Sequence, residues 1–424
     1  MPPPATRVGT IPRAGAGVAL LAAVALLAGC TAHAPAMPTP TPTPTATPIG
    51  DGVLRIGTLF PSTGATAFIG APQLDAVKVA VGDINAAGGV NGKPVVMLSD
   101  DSGDATTQTA EASLADLVKK GADVIIGPSS SVLSQRLLTA AAAAQTPLIS
   151  PAATYPQLSS LDTQNVFFRT IPSTALQGVA LGTLLPSKKL LKVALVASSD
   201  PVGQSIVGTL GDSLTAHGGA LVANVALTAS SVPADVIAQL KKAAPDAVVL
   251  DTPDNGAQTK AVISALVAGG FGGAKLWLTS QNLADYSQAL PAGQLNGVSG
   301  ILEGADSNAA FQAKLKAVDS GIGSFQYAPE AYDATILAAL AATLAHDDAG
   351  IRVAAQLRAA SVGGIKCTSY AECLDVLVTE PAIDYDGLSG ALNLDAAGDP
   401  TSATYGVFTY AADNKYARSG SITG

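Results

Sequence analysis

Histidine is nearly missing from this 424-residue chain: His33, His217 and His346 are the whole supply, and no two lie near each other in sequence. Chemistry that runs on an imidazole base, or on a zinc ion held by His and Cys, has almost nothing to draw on. Nor does the chain contain G-x-S-x-G, H-E-x-x-H, a Walker loop, or a G-x-G-x-x-G opening a helix. No residue set picks out an enzyme, and no cofactor is expected. Basic residues are also scarce, 23 against 32 acids for a net charge of −9, and they form no runs. That excludes a nucleic-acid footprint. After Ala28 no stretch is long and apolar enough to span a bilayer. Cysteine occurs three times only, at Cys30, Cys367 and Cys373.

What is present begins with an export signal. Arg7 and Arg13 precede the apolar run Ala14–Ala28, which is shorter than the ~20 residues of a membrane span and closes on Leu27-Ala28-Gly29-Cys30. Small residues directly before Cys30 make this a lipobox-like end, with Cys30 as the acylated first residue of the mature protein; the competing reading is an apolar anchor with an incidental cysteine. Residues 31–52 form a Thr/Pro-rich tether, with PTPTPTPTATP at Pro38–Pro48. Proline fixes φ and lacks an N–H, so the segment is expected to be semi-extended. Cys367 and Cys373 lie in KCTSYAEC. In an exported chain that spacing predicts a small loop disulfide, because a metal site would need further soft ligands nearby.

The ~370 residues that remain exceed one ordinary core and predict two lobes. From Val53 strands and helices alternate: strand Val53–Phe60, a helix carrying the stripe Leu74, Val77, Val81 and Ile84, strand Val95–Leu98, and helix Thr106–Lys120. A second alternating series follows Arg169, with strands at 192–198, 221–228, 247–252 and 276–280. Strand–helix repetition stacks into mainly parallel sheets through right-handed crossovers. The fold class is α/β, with two Rossmann-like lobes.

Residues 123–156 carry the most specific pattern. Two short apolar runs, Asp123–Gly127 and Leu148–Ser150, each run into Gly, Pro, Ser and Thr, and a helix over Val132–Ala144, with Ser131 as its expected N-cap, lies between them. Both hydroxyl clusters therefore fall at carboxyl ends of strands, where open α/β sheets leave their ligand crevice. Hydroxyls and helix-start N–H groups suit a small anion such as a carboxylate. Taken singly, such residues serve equally as helix caps. Asp100-Asp101, closing a strand, reads either as an acid pair or as a cap of the following helix.

IGPSSS followed by LISPAATYPQL resembles the paired ligand-binding signature of type I periplasmic solute-binding proteins of ABC importers, in the leucine/isoleucine/valine-binding family. The likeness runs from about Leu54 to about Tyr416, through LRIGTLFPSTG, DINAAGGVNGKPV, VFFRTIPS and PEAYDATILAAL. It implies that 53–170 and 300–388 form lobe one, that 171–299 and 389–420 form lobe two, and that three crossing segments make a hinge between them. It also implies a small-molecule ligand, a permease as partner, a monomer, and residence on the extracytoplasmic face of the membrane through the lipid anchor alone. The alternative is a receptor feeding a sensor protein.

Carried over by position, Ser131 offers a hydroxyl and N–H, Ala152 its backbone and Thr154 a hydroxyl to a ligand carboxylate, with Ser130 as adjacent support. Tyr332 and Asp333 open an Ala-rich helix beside the cleft, where Tyr332 either lines it or is a core residue. Elsewhere the chain departs from the family. The acid that meets an α-ammonium group corresponds here to Gln281, and the enclosing aromatics to Ile69, Val202 and Pro253. A neutral amide does not neutralise a buried ammonium. Asp200 and Asp254 stand close by as substitutes, so the ligand is read as an amino acid or a related apolar acid. A family disulfide is missing too, its positions matching Gly103 and Ser130.

Substituting Cys30 by Ser is expected to release the protein from membranes into the medium with ligand affinity intact. Fractionation that finds the variant still on membranes would overturn the lipobox reading.

Overall fold

The computed structural model describes residues 49–424 other than 65, 162 and 254; Cys30, most of the tether and Asp254 lie outside the described residues. The apolar runs that carry no alternation become strands buried on both faces, as parallel strands sandwiched between helices must be. β1 (Arg55–Phe60), β2 (Val96–Asp101), β3 (Val124–Ile126), β4 (Leu148–Ser150) and β5 (Phe167–Arg169) alternate with α1 (Ala67–Ala86), α2 (Thr109–Lys119) and α3 (Ser131–Ala144). They pair in parallel in the order β2-β1-β3-β4-β5. The helix expected from Thr106 starts at Thr109, because the amide and hydroxyl of Thr106 both donate to Asp104 Oδ1 and hold a turn there.

The chain continues as α4 (Ala175–Ser187), β6 (Lys192–Ser198), α5 (Pro201–Ala216), β7 (Ala220–Leu227), α6 (Pro233–Ala243), β8 (Ala247–Asp251), α7 (Ala257–Leu266), β9 (Leu276–Leu278) and β10 (Ser299–Glu303). It then returns to the first sheet's side as α8 (Ala309–Val318), α9 (Ala328–Ala345) and α10 (Gly350–Leu357). A small sheet follows, β11 (Ile365–Cys367), β12 (Ile383–Gly387) and β13 (Gly390–Ala391), with α11 (Tyr370–Leu377) inserted. Cys367 and Cys373 are disulfide-bonded, S–S 2.00 Å, joining β11 to α11. β14 (Thr404–Tyr410) and β15 (Tyr416–Thr423) close the second sheet, ordered β15-β14-β10-β9-β8-β6-β7. Its first five strands in the chain are parallel to their neighbours, and only the β14 and β15 pairings are antiparallel.

The chain thus passes three times between the two sheets, and two passages fall later than the family boundaries imply. Ser299–Glu303 pairs with β9 and β14, so the second passage follows Glu303 and does not begin at 300. Leu392 and Leu394 pack in the first core, so the third lies beyond Leu394 and not at 389. Strand register and side-chain burial set these limits, and neither shows in a motif.

Polar side chains fasten each passage. Thr170 Oγ1 donates to the Glu330 carbonyl at 2.7 Å, and the Glu330 carboxylate oxygen Oε1 accepts from the Ala305 amide at 2.7 Å. Arg169, wholly buried, grips Asp399 through Nε and Nη2 at 2.6 and 2.7 Å. Glu330 is 1% exposed and its Oε2 has no hydrogen-bond partner. Burial, with Asp333 and Glu303 nearby, pushes its carboxyl from 4.5 up to about 8, against the Ala305 bond.

Because that value lies above the ordinary one, the carboxyl's contribution to stability is full below about pH 4.5 and is lost as pH rises through about 8. Glu330→Gln keeps the oxygen that Ala305 uses and removes the ionisation. The variant is expected to gain stability over wild type by up to ~1.4 kcal/mol per pH unit across that window, reaching a plateau above it. Thermal melts that show a pH-independent difference would remove the assignment.

Candidate functional site

The carboxyl ends of β1, β3 and β4 carry the first group of polar residues. Gly127 turns the chain at φ +120°, where a Cβ would lie 2.4 Å from the Leu59 carbonyl oxygen, and a cis peptide leads on to Pro128. The serines that follow each take a hydrogen-bond partner from another segment or the helix start. Ser129 Oγ donates to Gln73 Oε1 (2.8 Å) and Ser150 Oγ to the Pro128 carbonyl (2.6 Å). Ser130, not Ser131, caps α3, accepting from the Leu133 amide at 3.4 Å. The expected cap is one residue late because Ser131 is already helical and its side chain faces another segment: its Oγ accepts from the amides of Thr154 (3.0 Å) and Tyr155 (3.2 Å). Ser131 and Thr154 are therefore brought together. With two acceptances filled, the Ser131 hydroxyl keeps its proton to offer.

The segment after β4 is fixed from every side. The Thr154 carbonyl accepts from the amide and hydroxyl of Thr174 at 2.9 and 2.8 Å. Arg169 Nη1 donates to the carbonyls of Ala153 (3.0 Å) and Tyr155 (3.1 Å). The Thr154 side chain is nearly buried in this loop, while Ala152 is half-buried with its amide 3.4 Å from Ser150 Oγ. The segment after β1 has its own clamp. Asp101 accepts from Thr63 Oγ1 (2.5 Å) and from the amides of Ser62 (2.8 Å) and Gly103 (2.9 Å). Those bonds outweigh burial and hold its carboxyl at about 2. Asp101 thus secures the β1–α1 loop and does not cap the following helix; a pair of acids in sequence carries no sign of that distant partner.

The second group lies at the ends of β6, β8, β9 and β10. Strand order reverses between β6 and β8, as it does between β1 and β3 in the first sheet. Such reversals open a crevice outside the strands' carboxyl ends. A cavity of ≈ 380 Å³ occupies the second one, lined by Ser199, Asp200, Thr228 and Pro253 among others. Asp200 caps α5, its Oδ1 accepting from the amides of Val202 (2.8 Å) and Gly203 (3.0 Å). Burial raises its carboxyl, but these bonds and one from Ser198 prevail and hold it below the usual range. Asp251 behaves in the opposite way. It is 1% exposed, Oδ2 has no hydrogen-bond partner, and burial pushes it up to about 7 despite the bond from Thr279. Glu303 is buried and raised too, and its Oε2 accepts from Gln177 at 3.2 Å.

Other sequence-predicted residues fall as follows. Gln281 follows β9 and is half-buried; Val202 is half-buried in the first turn of α5, and Pro253 is exposed. Ile69 is half-buried at the start of α1, its carbonyl accepting from Gln73 Nε2 at 2.6 Å. Tyr332 borders a cavity of ≈ 340 Å³ with Asp83 and Lys314. It is 6% exposed in the first core, donates to Asp83 Oδ2 at 2.8 Å and meets Phe311 edge-on. Asp333 is a structural acceptor, taking bonds from Tyr385, Leu388 and Ser389. Sequence reasoning gave no role to Arg169, whose partners are distant in the chain. Among the described residues, no group of three or more His, Cys, Asp or Glu is placed to hold a metal, and no helix is long and apolar enough to cross a membrane.

The sequence profile of the periplasmic binding protein family matches residues 53–370. The chemotactic signal transduction system substrate-binding protein BasB of Halobacterium salinarum is 25% identical over 363 residues, 82% of this chain and 85% of that protein. The Leu/Ile/Val-binding protein BraC3 of Rhizobium johnstonii is 29% identical over 183 residues, 43% of this chain and 49% of that one. Among solved structures, the branched-chain amino acid transporter substrate-binding protein LivJ of Streptococcus pneumoniae, in complex with isoleucine, superposes with a TM-score of 0.60 at 20% identity, covering 87% of this chain and 99% of that one. A solute-binding protein of an ABC transporter from R. palustris, in complex with benzoate, gives 0.56 at 21% identity, with 87% and 96% covered.

Two backbone amides depend on Ser131 Oγ, so Ser131→Ala is expected to lower stability by ~1–3 kcal/mol in ligand-free protein. Denaturant titration is the measurement. An unchanged midpoint would mean that the loop after β4 is held without it.

Proposed function

The chain belongs to the periplasmic binding protein family, and from that premise we propose that it captures a small carboxylate-bearing ligand between two lobes. The proposed lobes are 53–170 with the segment after Glu303 as far as Asp399, and 171–303 with the remainder. The observation that carries this reading is the meeting of Ser131 and Thr154 at the carboxyl ends of β3 and β4. There the Ser131 hydroxyl, at the start of α3, meets the Thr154 segment, itself held by Arg169 and Thr174. Such donors suit an ionised carboxylate, and a helix start favours the same charge. We read it as a binding site: its polar groups are hydroxyls and amides. Ser130 supports it from the cap, and Ala152 adds backbone.

Lobe two supplies the other wall through Val202, Pro253 and Gln281, with Ile69 opposite them on lobe one. Hinge closure about the three passages would bring the walls together, the usual motion of a two-lobed clamp. Capture at the extracytoplasmic face, lipid anchoring through Cys30 and delivery by a monomer to an ABC permease complete the proposal. The likeness to BasB, which extends over most of both chains, favours a second reading in which the loaded protein reports to a chemotaxis-type sensor. The ligand site would be the same in both.

Each hydroxyl bond to a carboxylate in a closed site is worth ~1.5–3 kcal/mol. Thr154→Val, nearly the same size, is therefore expected to weaken carboxylate ligands about tenfold or more by calorimetry, with the melting point of the free protein little changed. Equal affinity in the two proteins would sink the carboxylate site.

A further inference from the structure

The first turn of α4 reaches both walls of the proposed site. Thr174, its N-cap, is buried and gives its amide (2.9 Å) and its hydroxyl (2.8 Å) to one acceptor, the carbonyl of Thr154. One turn further on, Gln177 is wholly buried, with both ends of its side-chain amide engaged in the proposed lobe two. Its Nε2 donates to Ser280 Oγ (2.6 Å) and Glu303 Oε2 (3.2 Å), and its Oε1 accepts from the Ser280 amide (3.1 Å). Ser280 directly precedes Gln281, so Gln177 braces that wall from behind. The turn is itself held in place. A Cβ on Gly178 would lie 2.2 Å from Thr209 Oγ1 and 2.7 Å from the Leu210 nitrogen, so α4 lies directly on α5, and Thr209 Oγ1 donates to the Ala175 carbonyl at 2.6 Å. Contacts as close as these have few alternative arrangements. Buried amide groups keep their partners as well, because an unpaired one costs more than a paired one returns.

We propose that Gln177 is a positioning residue for the ligand site: with Thr174 it makes the first turn of α4 a cross-tie that sets the spacing between the Thr154 loop and the wall at Gln281 before a ligand arrives. The proposal rests on the carboxylate site at Ser131 and Thr154 for what is positioned. Gln177 acts through Ser280 and Thr174 and needs no contact with the ligand. Walls that are already spaced leave less to be ordered on binding, and the coupling runs through contiguous hydrogen bonds on a close-packed helix.

Gln177→Met keeps the length of the side chain and removes its polar atoms. Thr174→Val removes the hydroxyl and keeps the amide, and Thr174→Ser restores the hydroxyl. Hydrogen exchange on the ligand-free full chain is read at the amides of Thr154 and Tyr155, and calorimetry with isoleucine and with benzoate gives affinity. In Gln177→Met, exchange at those two amides is expected to quicken about tenfold, although every side-chain bond removed lies on Ser280 or Glu303, and the affinity of either carboxylate that binds wild type is expected to fall about threefold to tenfold. Thr174→Val should act alike, and Thr174→Ser should stay within about twofold of wild type. A lowered melting point with exchange at Thr154 and Tyr155 unchanged makes Gln177 a core residue only and overturns the proposal, whether or not either probe binds. Thr154→Val separates the two layers. If that variant loses affinity while Gln177→Met binds as wild type does, the carboxylate site stands and the cross-tie falls; if Thr154→Val loses nothing, the carboxylate site falls and the ligand role of Gln177 with it. Should Gln177→Met fail to fold, Thr174→Val against Thr174→Ser decides the same question by the same two readouts.

Discussion

One guanidinium sets the geometry on which the site depends. Arg169 has five N–H groups, and all five are used: two on Asp399, one each on the carbonyls of Ala153 and Tyr155, one on Ser159 Oγ. It ends β5 just before the first passage between sheets, it holds the loop that carries Thr154, and through Asp399 it holds the third passage. Its charge is wholly buried and fully paired, the condition under which a buried ion pair persists and under which removing one partner is costly. The loop that carries Thr154 and the segment that carries Asp399 are thus fastened to the same planar group. A change of angle between the sheets would be felt at Thr154 within one side chain.

A common rule sorts the carboxylates. Asp101 and Asp200 each accept several donors and stay ionised, while Asp251 and Glu330 are buried with one oxygen lacking a partner and are pushed up to about 7 and about 8. Burial and donor supply together separate the two kinds, for Asp333, wholly buried, is raised despite bonds from Tyr385, Leu388 and Ser389. The ionised acids sit at loops beside the strand ends; the raised ones sit under the surface, where Glu330 takes the amide that opens the second passage. In the interior, charge is kept where it is paired, as in Arg169 with Asp399.

Much of this was legible in the sequence, for a physical reason. Unbroken apolar runs such as VII and LIS announce strands covered on both faces, and the Ser, Thr, Gly and Pro after them announce strand ends; both are local. What failed to show was non-local. Ser131 reads as a cap because caps are serines, yet its hydroxyl serves amides more than twenty residues away, and the cap is Ser130. Tyr332 reads equally as a lining or a core residue, and its partners Asp83 and Phe311 come from distant segments. Val53–Phe60 and Val95–Leu98 were placed within two or three residues at each end. The limits of the passages were not, since burial of Leu392 and pairing of Ser299–Glu303 depend on partners brought from elsewhere.

α9 is buried along almost its whole length, packs against α1 and α10, and carries the buried alanines Ala331, Ala334, Ala338, Ala339, Ala341 and Ala342. An alanine has no rotamer to adjust, and a close-packed neighbour leaves little space for an added methylene. The strand ends and their loops stand on this unyielding support, so residues there can be exchanged without disturbing what lies beneath. A larger side chain at one of these alanines would push α9 off α1 or α10, so the smallest residues of the helix are the ones that fix how closely its neighbours approach.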